Sequence, residues 1–478
     1  MQRFDDFDQF DNNEFADHSD AYEQPDDQEY EQDLLEQRRQ RRMEMKKKRI
    51  RQQRIILASL AAFLLLLIIL ISSCIACSDC SCSSCSQDEN IEEPSDMPPI
   101  QPIIEEEVEQ DITATLAAVG DIMMYDSQIK AGQIDDTTYD FSSAFKGVMA
   151  QTISPDITVG NLELNLLGYA PYVGDPQTQP FFNAPEVLAT NLADIGFDVM
   201  LTANTYSIMN GINGMHSTIN FLNQASIDNV GTHYTDPAQS GSGGVVLRDV
   251  GSADDPSKNI RIAFIGFTKG LNGMSLPTNN QHSVDLLYKD YSTTYETVDT
   301  ERILERVEAA KDTGADIIVA MLHWGSEYDL NVSKTQEEIR DLMFKNGVDV
   351  ILGSHSHVVG PMEMVDVKTV DGEKKQCFVA YSLGNFYSDM SKPYTQESVI
   401  LNMEFTKDAD TGDTVISDVS YVPIYILDRG EGAIKTRFEV LPIRKAIESS
   451  TVEEYEDVMT AAIESLKTNT NSDYDSGK

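Results

Sequence analysis

Apolar, β-branched runs at 113–119, 157–159, 198–202, 261–267, 317–322, 348–352 and 377–381 each give way to a polar or glycine-bearing segment. Short continuous apolar runs bounded in this way predict buried strands. Between them, 298–311 places Val298, Ile303, Leu304 and Val307 at helical spacing. Strand and helix patterns alternate through Leu352, which predicts an α/β fold. The runs at 399–405, 415–422 and 424–427 predict antiparallel strands late in the chain, and a last helix over 452–466 precedes a polar tail. There is no internal repeat.

One apolar run is of another kind. Residues 55–78 carry no charge and are dominated by Leu, Ile and Ala; at helical rise they reach roughly 36 Å, enough to cross a bilayer. A basic cluster from Arg38 to Arg54 precedes them, and Asp79, Asp88, Glu89, Glu92 and Glu93 follow. The positive-inside rule therefore predicts a single-pass protein of the cell membrane, with a cytoplasmic N-terminus and an extracytoplasmic main domain. A cleaved signal peptide has a short basic lead and an apolar core of about 7–15 residues, unlike this segment. Ile71-Ser72-Ser73-Cys74 resembles a lipoprotein cleavage box, the competing reading, in which Cys74 carries a lipid.

The expected organisation is a disordered acidic tail and basic juxtamembrane segment at 1–54, a transmembrane helix at 55–78, and a Cys/Ser- then Pro/Glu-rich linker at 79–112. A main domain follows at 113–445, then a helix and polar tail at 446–478. Cys74, Cys77, Cys80, Cys82 and Cys85 crowd the linker, where interchain disulfides and acylation both remain open. Only Cys377 lies in the main domain, so no disulfide framework supports that fold. Of the formal charge of −43, the first 54 residues contribute −4 (11 basic and 15 acidic side chains), leaving −39 on the remainder. Such an exterior excludes nucleic acid as a partner and repels polyanions unless a metal or a local basic pocket reverses the field.

Candidate chemistry follows the strand-like runs. They lead into Val119-Gly120-Asp121, Gly160-Asn161-Leu162-Glu163, Ala203-Asn204-Thr205-Tyr206, His323-Trp324-Gly325, Gly353-Ser354-His355-Ser356-His357 and Ser382-Leu383-Gly384-Asn385-Phe386. In an open α/β sheet such segments gather at the carboxyl ends of neighbouring strands, where sites are built. On an extended segment His355 and His357 would point to the same side. With Asp121, Glu163 and His323 they supply the imidazole and carboxylate ligands that hold Zn²⁺, Mn²⁺ or Fe. One or two such divalent ions would activate water and clamp a phosphoryl or carbonyl oxygen. Taken alone, Gly120-Asp121 is also a turn with an Asp cap, Glu163 an ordinary carboxylate, and Asn385 a helix cap or Asx-turn.

In order and spacing these segments resemble the CapA-type bacterial capsule synthesis proteins, associated with poly-γ-glutamate, whose outer domain is similar to calcineurin-like metallophosphoesterases. The likeness runs over about 113–428. It implies a four-layer α/β/β/α sandwich, metal ligands at Asp121, Glu163, His323, His355 and His357, and Glu327 lining the pocket. Asn161, Trp324 and Asn385 complete the expected pocket. Catalytic roles fall to Asn204, Tyr206 and Glu327.

One motif departs from the family. Ala-Asn-Asn-His with a following Asp is replaced by Ala203, Asn204, Thr205, Tyr206 and then Met209. Thr205 is a poor metal ligand, and a phenol of ordinary pKa near 10 is a poor acid at neutral pH. His216 is near enough in sequence to be a displaced acid, though its spacing does not support that role. The expected function is that of a membrane-anchored factor assisting synthesis, export or processing of an anionic polymer such as poly-γ-glutamate, with membrane synthase or export subunits as partners. A surface phosphoesterase and a noncatalytic metal-binding scaffold are the alternatives.

Overall fold

The structure, a computed structural model, describes Gln40 and residues 110–252, 255–433, 437–450, 452–470 and 473–477. The apolar stretch at 55–78, the cysteine cluster and the spacer lie outside the described residues. Among the described residues no helix is long and apolar enough to cross a membrane.

The chain enters one sheet through β1 (Ile112–Ile122), β2 (Ile157–Leu162), β3 (Val199–Leu201) and β4 (Asp228–Val230). It builds a second from β5 (Val246–Gly251), β6 (Asn259–Thr268), β7 (Ile317–His323), β8 (Val350–Ser354), β9 (Met362–Lys368) and β10 (Lys374–Ala380). It returns to the first through β11 (Asn385–Tyr387), β12 (Glu397–Lys407), β13 (Thr414–Asp428) and β14 (Phe438–Pro442). The first sheet runs β14-β13-β12-β1-β2-β3-β4, with β11 also pairing β1; the second runs β5-β6-β7-β8-β10-β9. Neighbours are parallel from β1 to β4 and from β6 through β8 to β10, and antiparallel at the flanks. The parallel centre of each sheet is the part that carries candidate site residues.

Alternation along a strand decides the layers. On β1, Leu116 and Ala118 join Val159, Leu201, Phe264, Val319, Leu352 and Phe378 in the core between the sheets. Ala117 and Val119 turn to the other face, where Leu188 and Leu192 of α1 (Val187–Asp194) cover them. Beyond the second sheet, Ile303 and Val307 of α3 (Thr300–Lys311) and Ile339 and Met343 of α4 (Lys334–Lys345) pack on Ala263, Ile318 and Ile351. α2 (Gly211–Gln224) contributes Met215 and Ile219 to the inter-sheet core and Leu222 to the outer one. The layers are thus helix, sheet, sheet, helix. Each fully buried Leu, Val or Phe contributes roughly 1.5–3 kcal/mol of transfer energy.

Several element boundaries shift from the sequence expectation for physical reasons. The helix expected from residue 298 starts at Thr300, because Asp299 caps it by accepting from Arg302 N at 3.4 Å. The runs at 415–422 and 424–427 are one strand, β13, continuous through Pro423. The proline is tolerated at a change of edge partner: β14 pairing begins at Ile424, while Tyr421 exchanges backbone hydrogen bonds with Tyr474 and Ser476. The last helix, α5 (Glu456–Thr470), sends Met459, Ala462 and Leu466 into the inter-sheet core. β5 and β9 escaped the sequence pattern because their exposed faces carry polar residues and only one side of each is covered.

A buried ion cluster ties the loop after β4 to α3. Asp285 accepts from Arg306 Nε, with both carboxylate oxygens at 3.1 Å, and lies 2.7 Å from His233 Nε2. Burial alone would raise the Asp285 carboxyl, but His233 and Arg306 outweigh it and hold the group below its ordinary value. A depressed carboxyl stabilises the fold above its unfolded pKa and loses that contribution as pH falls through the folded one. Asp285→Ala is therefore expected to destabilise the chain by about 3–5 kcal/mol in denaturant unfolding, and Asp285→Asn to flatten the acid limb of its stability profile. An unchanged acid limb contradicts the assignment.

Candidate metal centre

β1 carries Asp121 to the carboxyl end of the first sheet, and Glu163 follows directly on β2. In the second sheet β7 ends on His323, and β8 runs into His355 and His357. In register, Asp121 lies between Asn161 of β2 and Asn385 of β11. Two glycines allow the close approach this needs. A Cβ on Gly120 would stand 1.9 Å from the Gly384 carbonyl oxygen, and one on Gly353 would stand 2.0 Å from that of Tyr381.

The five side chains converge and are all buried. One ligand atom from each of Glu163, His323 and His355 lies within 4.8 Å of the other two, and the same holds for Asp121, Glu163 and His357. Glu163 belongs to both sets. Its Oε1 is 3.3 Å from His323 Nε2, and Asp121 Oδ2 is 3.1 Å from His357 Nδ1. The His323 and His355 rings are 4.5 Å apart, and those of His355 and His357 6.2 Å. Glu163 Oε2 and His355 Nδ1 are buried and, among the described residues, have no hydrogen-bond partner. Unpartnered buried polar atoms are costly; two of them on residues of one cluster of carboxylates and imidazoles fit a divalent cation of the Mn²⁺, Zn²⁺ or Fe type.

Surrounding groups orient the ligands. Asn161 Nδ2 donates to Asp121 Oδ1 at 2.6 Å, and Asn385 Oδ1 is 3.0 Å from His357 Nδ1. His355 N donates to Asp121 Oδ2 at 3.2 Å, so the backbone of one ligand holds the carboxylate of another. His355, His357 and Tyr328 have φ of +94°, +60° and +63°. Such left-handed geometry is unfavourable for these side chains and persists where the surroundings enforce it, typically at functional sites.

The electrostatics divide the histidines. Burial drives His355 well below the ordinary imidazole value, reinforced by His323, Lys269 and His357, so it is a neutral donor. For His357 burial acts downward too, but the hydrogen bond to Asp121 and the Glu163 charge outweigh it and raise it to about 9. Asp121 is held below its ordinary value because His357 and His323 overcome its burial. Tyr206 is pushed well above an ordinary phenol by burial and then by Glu163, and Tyr125 likewise.

The other sequence candidates fall in different places. Asn204 lies beside the cluster with its amide engaged: Nδ2 donates to Leu162 O at 2.8 Å and Asn161 Oδ1 at 3.2 Å, while Oδ1 accepts from Tyr206 N at 3.1 Å. Thr205 Oγ1 is 2.9 Å from His323 Nε2. Tyr206 packs edge-on against Phe182 at 4.7 Å. Glu327 is exposed, at the mouth, where its charge acts on Tyr125, Tyr206, Tyr328 and Lys269. Trp324 is turned away from the ligands into the helix-covered face of the second sheet, its Nε1 donating to Tyr381 O at 3.0 Å. Successive strand residues alternate in direction, so the neighbour of an inward His323 faces outward. His216 stacks on Tyr234 at 4.1 Å and is not one of the clustered side chains.

The sequence pattern assigns no role to Ser354, whose Oγ is 3.3 Å from His323 Nδ1, or to the mouth residues Tyr125, Tyr328 and Lys269. Ser354 and Lys269 stand at the end of β8 and just after β6, so the strand-end rule could have found them. Tyr125 and Tyr328 carry no such signal.

Residues 115–390, more than half of the chain, match the family described as Bacterial capsule synthesis protein PGA_cap. The chain is 27% identical over 343 residues to Capsule biosynthesis protein CapA of Bacillus anthracis, covering 71% of each. It is 26% identical over 298 residues to PGA biosynthesis protein CapA of Bacillus subtilis, covering 60% of this chain and 67% of that one. Among solved structures it partly resembles the calcineurin-like phosphoesterase YfkN of Bacillus subtilis, with a TM-score of 0.37 and 14% identity over 76% of this chain and 98% of that one. A novel phosphatase of Mycoplasma pneumoniae gives a TM-score of 0.35 and 11% identity, over 66% and 95% of the respective chains. The extent of the family match settles membership: the chain belongs to the bacterial capsule synthesis protein PGA_cap family.

Proposed function

We propose that this protein is a membrane-anchored, extracytoplasmic capsule factor that uses a divalent-metal centre to assist synthesis, export or processing of an anionic polymer such as poly-γ-glutamate. The observation that carries the reading is Glu163, shared by two buried ligand sets and, among the described residues, left with one buried oxygen that has no hydrogen-bond partner. Family membership supplies the capsule context. The charge-free stretch at 55–78, with its basic flank, supports the anchor, and an anchored domain would work beside synthase or export subunits of the membrane.

In this reading Asp121, Glu163, His323, His355 and His357 hold one or two ions. A bound divalent ion supplies Lewis acidity toward a carbonyl, carboxylate or phosphoryl oxygen. The protein's own side chains favour holding over cleaving. The Tyr206 phenol, raised by burial and by Glu163, keeps its proton at neutral pH and is a weak general acid. Thr205 directs its hydroxyl at His323 and offers no amide oxygen to a metal.

Metal should stabilise the fold through binding. Manganese or zinc at about 100 times its dissociation constant is expected to add about 2.7 kcal/mol to the full chain, read as a raised Tm. Glu163→Ala should abolish the rise; an unchanged Tm in the wild type removes the metal centre. Restoring Thr205→Asn together with Tyr206→His is expected to create hydrolysis of an aryl phosphodiester that the wild type lacks. Strong wild-type turnover, lost in His355→Ala, would instead identify a phosphoesterase. In the source cell, deletion should reduce surface polymer, and wild type but not His355→Ala should restore it.

A further inference from the structure

Lysines beside the centre form a pattern that the metal ligands do not explain. Lys269 directly follows β6; its backbone N donates to His323 O at 2.8 Å and its half-buried Nζ donates to Gly325 O at 2.5 Å. The same ammonium lies 4.9 Å from the centre of the Tyr295 ring. Lys392, in the loop after β11, places its Nζ 3.8 Å from the centre of the Tyr328 ring, and that ring is 6.0 Å from the His357 ring. One ammonium therefore flanks the cluster on the His323 and His355 side, the other on the His357 side.

Among the described residues neither lysine has a carboxylate within ion-pair distance. A half-buried ammonium without a counter-charge is unfavourable. In an exterior carrying −39, unpaired cations at the mouth of a buried centre are the local reversal of field that an anionic chain requires. Tyr328, which supports Lys392, is itself held at a positive φ by donation from its N to Ser356 O at 2.8 Å. The support is thus built onto the segment that carries His355 and His357.

We propose that Lys269 and Lys392 are the positioning residues of a two-armed anion subsite, each taking one carboxylate of an extended polycarboxylate whose intervening group faces the buried cluster. This rests on the anionic-polymer function proposed above and assigns it specific side chains. A single small phosphoester would engage the centre without needing two separated arms; a chain with repeated carboxylates uses both. Tyr328 acts through Lys392, as the aromatic shelf that aims its ammonium.

The test is anisotropy of labelled poly-γ-glutamate with the full chain, with metal content measured on every variant. Lys269→Met and Lys392→Met are each expected to weaken binding roughly tenfold and to reduce its salt dependence. Lys392→Arg and Tyr328→Phe should stay near wild type, whereas Tyr328→Leu should resemble Lys392→Met. Wild-type affinity in the double methionine variant, at unchanged metal content, overturns the subsite. Polyphosphate of equal charge displacing the polymer more strongly than unlabelled polyglutamate overturns its carboxylate assignment. If the wild type proves metal-free while lysine-dependent binding persists, the subsite stands and the metal reading falls.

Discussion

The centre depends on a charge that cannot stand alone. Glu163 is buried at the meeting point of both sheets, shared by two ligand sets, with one oxygen lacking a donor among the described residues. Burying carboxylates without counter-charge is strongly unfavourable. Here Asp121 finds His357, Asn161 and the His355 backbone, and that arrangement partly compensates it. Glu163 lies 3.3 Å from His323 and its charge also acts on His357, yet one of its buried oxygens has no donor among the described residues; a cation between the sets would supply what is missing. Much of the surrounding architecture can be understood as maintaining this convergence: parallel strand ends aim the ligands, glycines admit the crossing backbones, and two histidines accept a left-handed conformation.

The same constraint explains the asymmetry between the ligands and the mouth. Ligands sit on strand ends and are fixed by backbone and amide contacts. Tyr125, Tyr206, Tyr328, Glu327 and Lys269 sit on the connecting loops, which are the parts of an α/β scaffold where specificity is set. A centre of this kind with a protonated phenol in place of an imidazole is suited to gripping an oxyanion or carboxylate. That agrees with a family named for capsule synthesis.

How much of this was legible in the sequence depended on burial. Strands covered on both faces, such as β1, β2, β7 and β8, stood out as continuous apolar runs, and the ligands after them could be chosen by position alone. Half-covered edges such as β5 and β9 did not stand out. Trp324 was grouped with the pocket because it adjoins His323, yet alternation of side chains sends it to the opposite face. Asn204 was expected in a catalytic role; the structure gives its amide atoms to β2 and to its own turn, a pairing that no local motif announces. Lys392 was invisible, since its proximity to the centre arises from a loop that only the folded sheets bring across.

The most direct test is anomalous X-ray scattering from crystals of the full chain grown with manganese or zinc. The account predicts one or two peaks bound by the Glu163 carboxylate, with Asp121 and His357, His323 and His355, or both pairs as the other ligands. Anomalous density that leaves Glu163 outside the coordination sphere, or no density among these five side chains, contradicts it.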